Sequence, residues 1–316
     1  LINLVNKRIT QGPHQYAPMQ GAQRLREVIS EKVYKLYNRH YHEDDEITIT
    51  AGATQALYTA IAAFIKENDE VILFTPAYDC YQPAIEICGG KSVFFQLKAP
   101  DYGVNWEEVK KLINQKTRMI VINTPHNPTG SILSKNDLLE LEKIVSNTDI
   151  IVLSDEVYEH LIYEDEEHQS VASYPVLADS AIAVFSFGKT FHVTGWKMGY
   201  VLAPENLMQE FRKVHQFNVF SCNHPLQLAL ADYMSDEDNY LGLSAFYDEK
   251  RTMFLEMVAA SRFKASPSKG TYFQLLNYSE ISSLSDVEMA KKLVVDHKLA
   301  SIPISVFYHA NLDEHS

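Results

Sequence analysis

The sequence predicts an α/β fold: a mostly parallel sheet sandwiched by helices, followed by a smaller α+β C-terminal unit. Three observations predict it. Near-continuous apolar runs alternate with helical patterns through the first two thirds of the chain, as strands buried on both faces of a parallel sheet do. After Pro204 the pattern changes to longer helices with one further strand candidate. The 316 residues are 46% hydrophobic and 22% charged, enough apolar material for a large core and, at ~150 residues each, for about two domains.

In chain order, Glu46–Thr50 alternates as a strand does, and Gly52-Ala53-Thr54 then opens a helical stretch over Gln55–Ile65. Its Leu57, Ala60, Ile61, Phe64 and Ile65 recur at i, i+3, i+4, i+7 and i+8, one face of a 3.6-residue period. Val71–Phe74, Met119–Ile122, Ile150–Leu153, Ala181–Phe185 and Gly199–Ala203 are further strands, with a helix at Lys135–Ile144. Glu205–Phe217, Leu226–Met234 and Tyr240–Ala260 read as helices, Gly270–Leu276 as a strand and Asp286–His297 as a helix. The expected division is a large domain over 1–204, then connecting helices and a small C-terminal domain over 205–316. The acidic run Glu164–Glu167 is expected to be a solvated loop.

Lys plus Arg total 28 against 41 Asp plus Glu, a net charge of −13, which disfavours nucleic acid or an anionic membrane as partner. A small anionic ligand is not excluded, because it meets a few local groups. No stretch approaches the ~18 apolar residues of a membrane span; the most apolar window, Ala56–Ile65, is interrupted by Tyr58 and Thr59. Cys80, Cys88 and Cys222 offer neither a disulfide framework nor metal-ligand spacing, so a cytoplasmic, reducing compartment is expected.

In a parallel sheet the ligand sits beyond the carboxyl ends of the strands, and four segments follow predicted strands there. In Ser186–Lys197, Lys189 stands just past a strand, where desolvation can free its amine to form a Schiff base with a carbonyl. A surface lysine in a turn is the alternative, weakened by the flanking Ser186, Gly188, Gly195 and Lys197. In Val152–Tyr158, Asp155 ends an apolar strand, where a carboxylate is costly unless it meets a cation such as a protonated pyridine nitrogen. Asp155 suits a helix N-cap equally well; Tyr158 can donate a phenolic hydrogen bond from the same turn. In Asn123–Gly130 two prolines and a glycine fix a tight loop from which Asn127 projects an amide, though a plain turn would satisfy the pattern too. His126 reads as a loop side chain rather than a base. The backbone N–H groups at Ala53 and Thr54, ahead of a helix, suit phosphate. Neither the dinucleotide fingerprint nor the nucleotide P-loop is present.

Taken together these segments resemble the class I/II aminotransferases of the fold-type-I pyridoxal-phosphate enzymes, most of all the methionine aminotransferase and kynurenine–oxoglutarate (glutamine) transaminase subgroup. The resemblance spans essentially the whole chain, through Gln15–Met19, Ala51–Thr54, Pro76–Asp79, Asn123–Gly130, Ser154–Tyr158 and Ser186–Lys197 in family order. It implies pyridoxal 5′-phosphate as cofactor, with Lys189 as its covalent anchor and proton shuttle and Asp155 paired with the ring nitrogen. It further implies Asn127 and Tyr158 on the phenolic oxygen and Tyr78 stacked on the ring. Ala53, Thr54, Ser186 and Lys197 would hold the phosphate, and Tyr16 would reach the phosphate of a neighbouring subunit in a homodimer. Each chemical demand of the cofactor thus has a candidate in the chain.

Two features depart from the family. Its C-terminal arginine, which pairs with the substrate carboxylate through a planar fork, has no match: the last arginine is Arg262. An N-terminal glycine-containing segment is also lacking before Leu1, so both ends are expected to be cut. The expected activity is transfer of an amino group from an L-amino acid (methionine, aromatic, glutamine or kynurenine-like) to a 2-oxo acid. A cysteine-conjugate β-lyase and a binding or regulatory module without turnover are the alternatives.

Overall fold

The computed structural model describes residues 1–163 and 166–309. In chain order the elements are α1 (Ile2–Gln11), α2 (Gln23–Tyr37), β1 (Ile47–Thr50), α3 (Ala53–Phe64), β2 (Glu70–Thr75), α4 (Tyr81–Ile87), β3 (Lys91–Gln96), α5 (Trp106–Leu112), β4 (Thr117–Asn123), α6 (Lys135–Val145) and β5 (Ile151–Asp155). There follow α7 (Pro175–Ala178), β6 (Ala181–Ser186), α8 (Phe187–Thr190), β7 (Gly199–Leu202), α9 (Glu205–Asn218), α10 (His224–Met234), α11 (Asp238–Leu241), α12 (Leu243–Ala259), β8 (Lys264–Ala265), β9 (Leu276–Asn277) and α13 (Asp286–His297).

Among the described residues seven strands form one sheet in the order β1-β7-β6-β5-β4-β2-β3. Strand β7 runs antiparallel to both its neighbours, and every other pairing is parallel. Alternate side chains of a strand point to opposite faces, and the core obeys that parity. Ile120, Ile122, Val152 and Ala183 join one buried cluster with Leu25 and Ile29 of α2 and Leu138 and Leu141 of α6. Met119, Val121, Leu153 and Val184 join another with Leu57 and Ile61 of α3, Ile85 of α4 and Phe211 of α9. Burial on both faces is what the unbroken apolar strands require. Beyond the sheet, α9 packs on α3, and α10 on α1 and α2.

Three expectations change. The strand expected over Gly270–Leu276 is absent as such: the segment makes a single bridge, Gly270 to Ile162, and pairs only at β9 with β8. Its donors go to loop carbonyls instead, Lys269 and Gly270 N–H to the Gly130 oxygen and Thr271 N–H to that of Leu161. The helix expected over Tyr240–Ala260 divides at Gly242 into α11 and α12. Strand β3 is an addition. It lies at the sheet edge with most of its residues half-buried, so it lacks the apolar run of its neighbours. Glu164 and Asp165 of the acidic run lie outside the described residues, and Glu166 pairs with Lys269 at 2.6 Å.

Strand β7 approaches the start of α3 through a residue with no side chain. A Cβ at Gly199 would lie 2.6 Å from the Phe185 carbonyl oxygen and 3.1 Å from the Ala53 nitrogen. These are backbone atoms that cannot swing aside. Gly199→Ala is expected to cost about 1–3 kcal/mol of stability, read as a lower urea midpoint at unchanged slope.

Candidate active site

The carboxyl ends of β2, β4, β5 and β6 and the start of α3 surround a cavity of about 160 Å³. Nine of the ten expected site residues line it: Ala53, Thr54, Tyr78, Asn127, Asp155, Tyr158, Ser186, Lys189 and Lys197. Tyr16 does not line it; its side chain is 78% exposed and meets the edge of Phe220 at 5.3 Å. His126 also stays outside, buried with Nδ1 2.8 Å from Thr129 Oγ1, and burial pushes its pKa down to about 4.

One wall is polar and fixed. Asp155 closes β5 and is only 4% exposed. Its Oδ2 accepts from the Tyr81 hydroxyl at 2.6 Å and its Oδ1 from the Val157 N–H at 3.3 Å. No ion pair at this carboxyl exists among the described residues, and burial pushes it up to about 6. It is therefore a strand-end acid and not a side-chain helix cap. Tyr158, also buried, has its hydroxyl pushed further above the ordinary range by burial, then by Tyr272. Asn123, at the end of β4, donates from Nδ2 to the Asp155 carbonyl at 2.9 Å and accepts the Asn127 N–H at 2.7 Å. The loop bearing Asn127 is thereby tied to the strand bearing Asp155.

The opposite wall carries the amine. Lys189 sits in α8, which follows β6 directly and is capped by Ser186, whose Oγ accepts the Lys189 N–H at 3.3 Å. Its Nζ lies 2.7 Å from the Tyr272 hydroxyl and 5.3 Å from the ring centres of Tyr158 and Tyr272. At the third wall Gly52 caps α3 at φ +82°, and a Cβ there would meet Lys197 Cε at 3.4 Å. Only glycine takes this conformation without strain while letting the Lys197 stem pass over it. The first N–H groups of α3, at Ala53 and Thr54, lack a helical acceptor; with Lys197 and Ser186 on the same cavity wall, they are groups that could hold an anion. Tyr78 Oη approaches Thr54 Oγ1 at 3.4 Å.

Asn123, Gly52, Tyr81 and Tyr272 are the residues that sequence reasoning missed. Asn123 and Gly52 lie within the quoted segments but carried no role there, whereas Tyr81 and Tyr272 reach the site only through the fold. The residues fit pyridoxal 5′-phosphate. The best sign is Asp155, a buried carboxyl without a cationic partner among the described residues, facing a cavity that has an amine on one side and an anion site on another.

Beneath the Asp155–Tyr158 turn lies a buried ion pair. Lys32 Nζ is 2.5 Å from Glu159 Oε1, with the two side chains 5% and 3% exposed. The Tyr37 hydroxyl donates to Glu159 Oε2 at 2.6 Å. Burial pushes Glu159 up, but Lys32 and His160 outweigh it and hold the carboxylate well below its ordinary range.

An α/β fold with an amine, an acid and an anion site at the carboxyl ends of its strands defines a transaminase-type enzyme. A family model, aminotransferase class I and II, matches residues 4–313, and the chain belongs to that family, whose members use pyridoxal 5′-phosphate. The methionine aminotransferase of Escherichia coli (strain K12) is 46% identical over 300 residues, 95% of this chain and 78% of that protein. Human kynurenine–oxoglutarate transaminase 3 is 33% identical over 321 residues, covering 93% and 71% of the two chains. Among solved structures, YbdL of E. coli, described as having a methionine aminotransferase function, superposes with TM-score 0.98 at 43% identity over 99% of this chain and 83% of that one. The aromatic aminotransferase of Pyrococcus horikoshii OT3 does so with TM-score 0.91 at 32% identity over 97% and 83%. The chain is thus an amino-acid aminotransferase of the mostly parallel α/β type. No helix among the described residues is long and apolar enough to cross a membrane.

Replacing Lys32 leaves the buried Glu159 carboxylate without its ammonium partner. Lys32→Met is expected to cost about 3–5 kcal/mol of stability, and Lys32→Met with Glu159→Leu to recover most of it, both read from urea unfolding.

Proposed function

We propose that this enzyme binds pyridoxal 5′-phosphate in the cavity and moves the amino group of L-methionine, or of an aromatic or kynurenine-like amino acid, to a 2-oxo acid. The observation that carries the reading is one cavity holding Lys189 Nζ and the buried Asp155 carboxyl. The likeness to methionine aminotransferase favours methionine among the donors. Bound there, the cofactor supplies an aldehyde and an aromatic ring that accepts the electrons released when a substrate α-carbon loses its proton. Asp155 faces the ring nitrogen and favours its protonated form. Asn127 and Tyr158 donate to the phenolic oxygen, and Tyr78 covers the ring face. The Ala53 and Thr54 N–H groups, the Ser186 hydroxyl and the Lys197 ammonium bind the phosphate. Lys189 would hold the cofactor's aldehyde carbon and, when freed from it, would take the proton from the substrate α-carbon onto its Nζ.

The working unit on this reading is a homodimer, in which the exposed Tyr16 serves the phosphate of the neighbouring subunit. The large domain is read as 1–204, with 205–316 as connecting helices and small domain. The cysteines Cys80, Cys88 and Cys222 are unpaired, which suits the cytoplasm.

Two measurements check the assignment. Addition of L-methionine to the cofactor-loaded protein is expected to bleach its visible absorption, and a 2-oxo acid to restore it. Colour that persists without exchange refutes transamination, and ammonia and pyruvate released from a cysteine conjugate without acceptor indicate a lyase. Lys189→Ala is expected to lower turnover by about 10³-fold or more and to abolish borohydride trapping at position 189, with phosphate anchoring partly retained.

A further inference from the structure

Tyr81 is the first residue of α4, buried to 3% exposure, and its hydroxyl donates to Asp155 Oδ2 at 2.6 Å. Its ring meets that of Tyr78 edge-on at 5.7 Å, so a single side chain touches both the acid and the aromatic wall of the cavity. The other groups facing Asp155 give its charge little support. Cys80 and Tyr78 come from the segment leading into α4, and Glu156 and Tyr158 from Asp155's own turn. Glu156 repels a carboxylate, though its own oxygens are taken by Ser154, the Val171 N–H and His168. Lys189 is the one cation bearing on Asp155 among the described residues, and its Nζ lies against the Tyr272 hydroxyl. The Val157 N–H, at 3.3 Å, is the longer of the two hydrogen bonds to the carboxyl.

We infer that Tyr81 is a positioning residue, holding Asp155 ionised and aimed at the cationic ring nitrogen of the bound cofactor. The inference rests on the pyridoxal 5′-phosphate reading above. Hydrogen bonding to the charged form favours that form, and a bond to a carboxylate is stronger than one between neutral groups. Burial and the neighbouring Asp155 push the Tyr81 phenol well above its ordinary range, so it remains a donor wherever the protein is folded. Removing the hydroxyl leaves the acid with more affinity for a proton, and a protonated Asp155 cannot form an ion pair with the ring.

The test is the pH dependence of pyridoxal 5′-phosphate affinity, measured by equilibrium dialysis against protein stripped of cofactor, for wild type and Tyr81→Phe. The phenyl ring keeps the packing, and a cooperative thermal melt checks the fold of each protein. Titration of the cofactor itself is common to both and cancels in the ratio of affinities. The acid-side loss of affinity is expected to move up by about one pH unit in the variant, as loss of one charge-assisted hydrogen bond implies. The two affinities should then differ about tenfold near pH 5 and converge above about pH 8. The same comparison made in the Asp155→Asn variant is expected to give a ratio that does not change with pH. A flat ratio with Asp155 in place, or an equal pH-dependent shift in the Asp155→Asn variant, overturns the inference. Wild type that takes up no pyridoxal 5′-phosphate refutes the cofactor reading instead.

Discussion

The constraint on which this site depends is a carboxyl group almost wholly buried at the end of a strand. Asp155 ends a buried strand with a tyrosine hydroxyl and a backbone N–H as its hydrogen-bond donors. Burying a charge is unfavourable unless it is paired and hydrogen-bonded, and here the fold supplies the hydrogen bonds without the pairing cation. Burial pushes the acid up to about 6, and a cation beside it favours the charged form.

The surroundings keep that acid in place. The parallel register sets Asn123 opposite Asp155 across β4 and β5, and the Asn123 amide ties the Asn127 loop to the same carbonyl region. Below the turn, Lys32 and Glu159 close a buried pair joined by the hydroxyls of Tyr37 and Tyr200. An ion pair at this depth is not a strong source of net stability. Its geometry is demanding, however, and it anchors the turn carrying Asp155 and Tyr158 to α2 on the sheet's face. Side chains held by a second layer of contacts can keep the small tolerances that chemistry requires.

Much of this was legible in the sequence for a physical reason. Strands β4, β5 and β6 carry long apolar runs because both their faces are covered, so Asp155 at the end of β5 and Lys189 just past β6 stand out as charged groups there. The edge strand β3 has no such signature, since Lys91, Ser92 and Gln96 face less of the core. The 270–276 segment reads as a strand, yet its backbone is spent on loop carbonyls at Gly130 and Leu161, an outcome set by tertiary contacts. Tyr81 and Tyr272 escaped notice because their partners lie 74 and 83 residues away. Nothing near either tyrosine distinguishes it from a core aromatic.

The charge of the whole chain and the charge of the site point in opposite directions, and both serve the enzyme. A net charge of −13 spread over a large surface repels extended polyanions, whose binding depends on many contacts at once. A phosphate ester needs only a few groups at short range, and surface charges beyond about 10 Å are screened at ordinary ionic strength. At the start of α3 the local sign is positive: Lys197 lies over Gly52, beside N–H groups that no helical carbonyl takes up. On the proposed reading, phosphate selectivity would be set within one turn of α3 and the Ser186–Lys197 segment, both of which line the cavity.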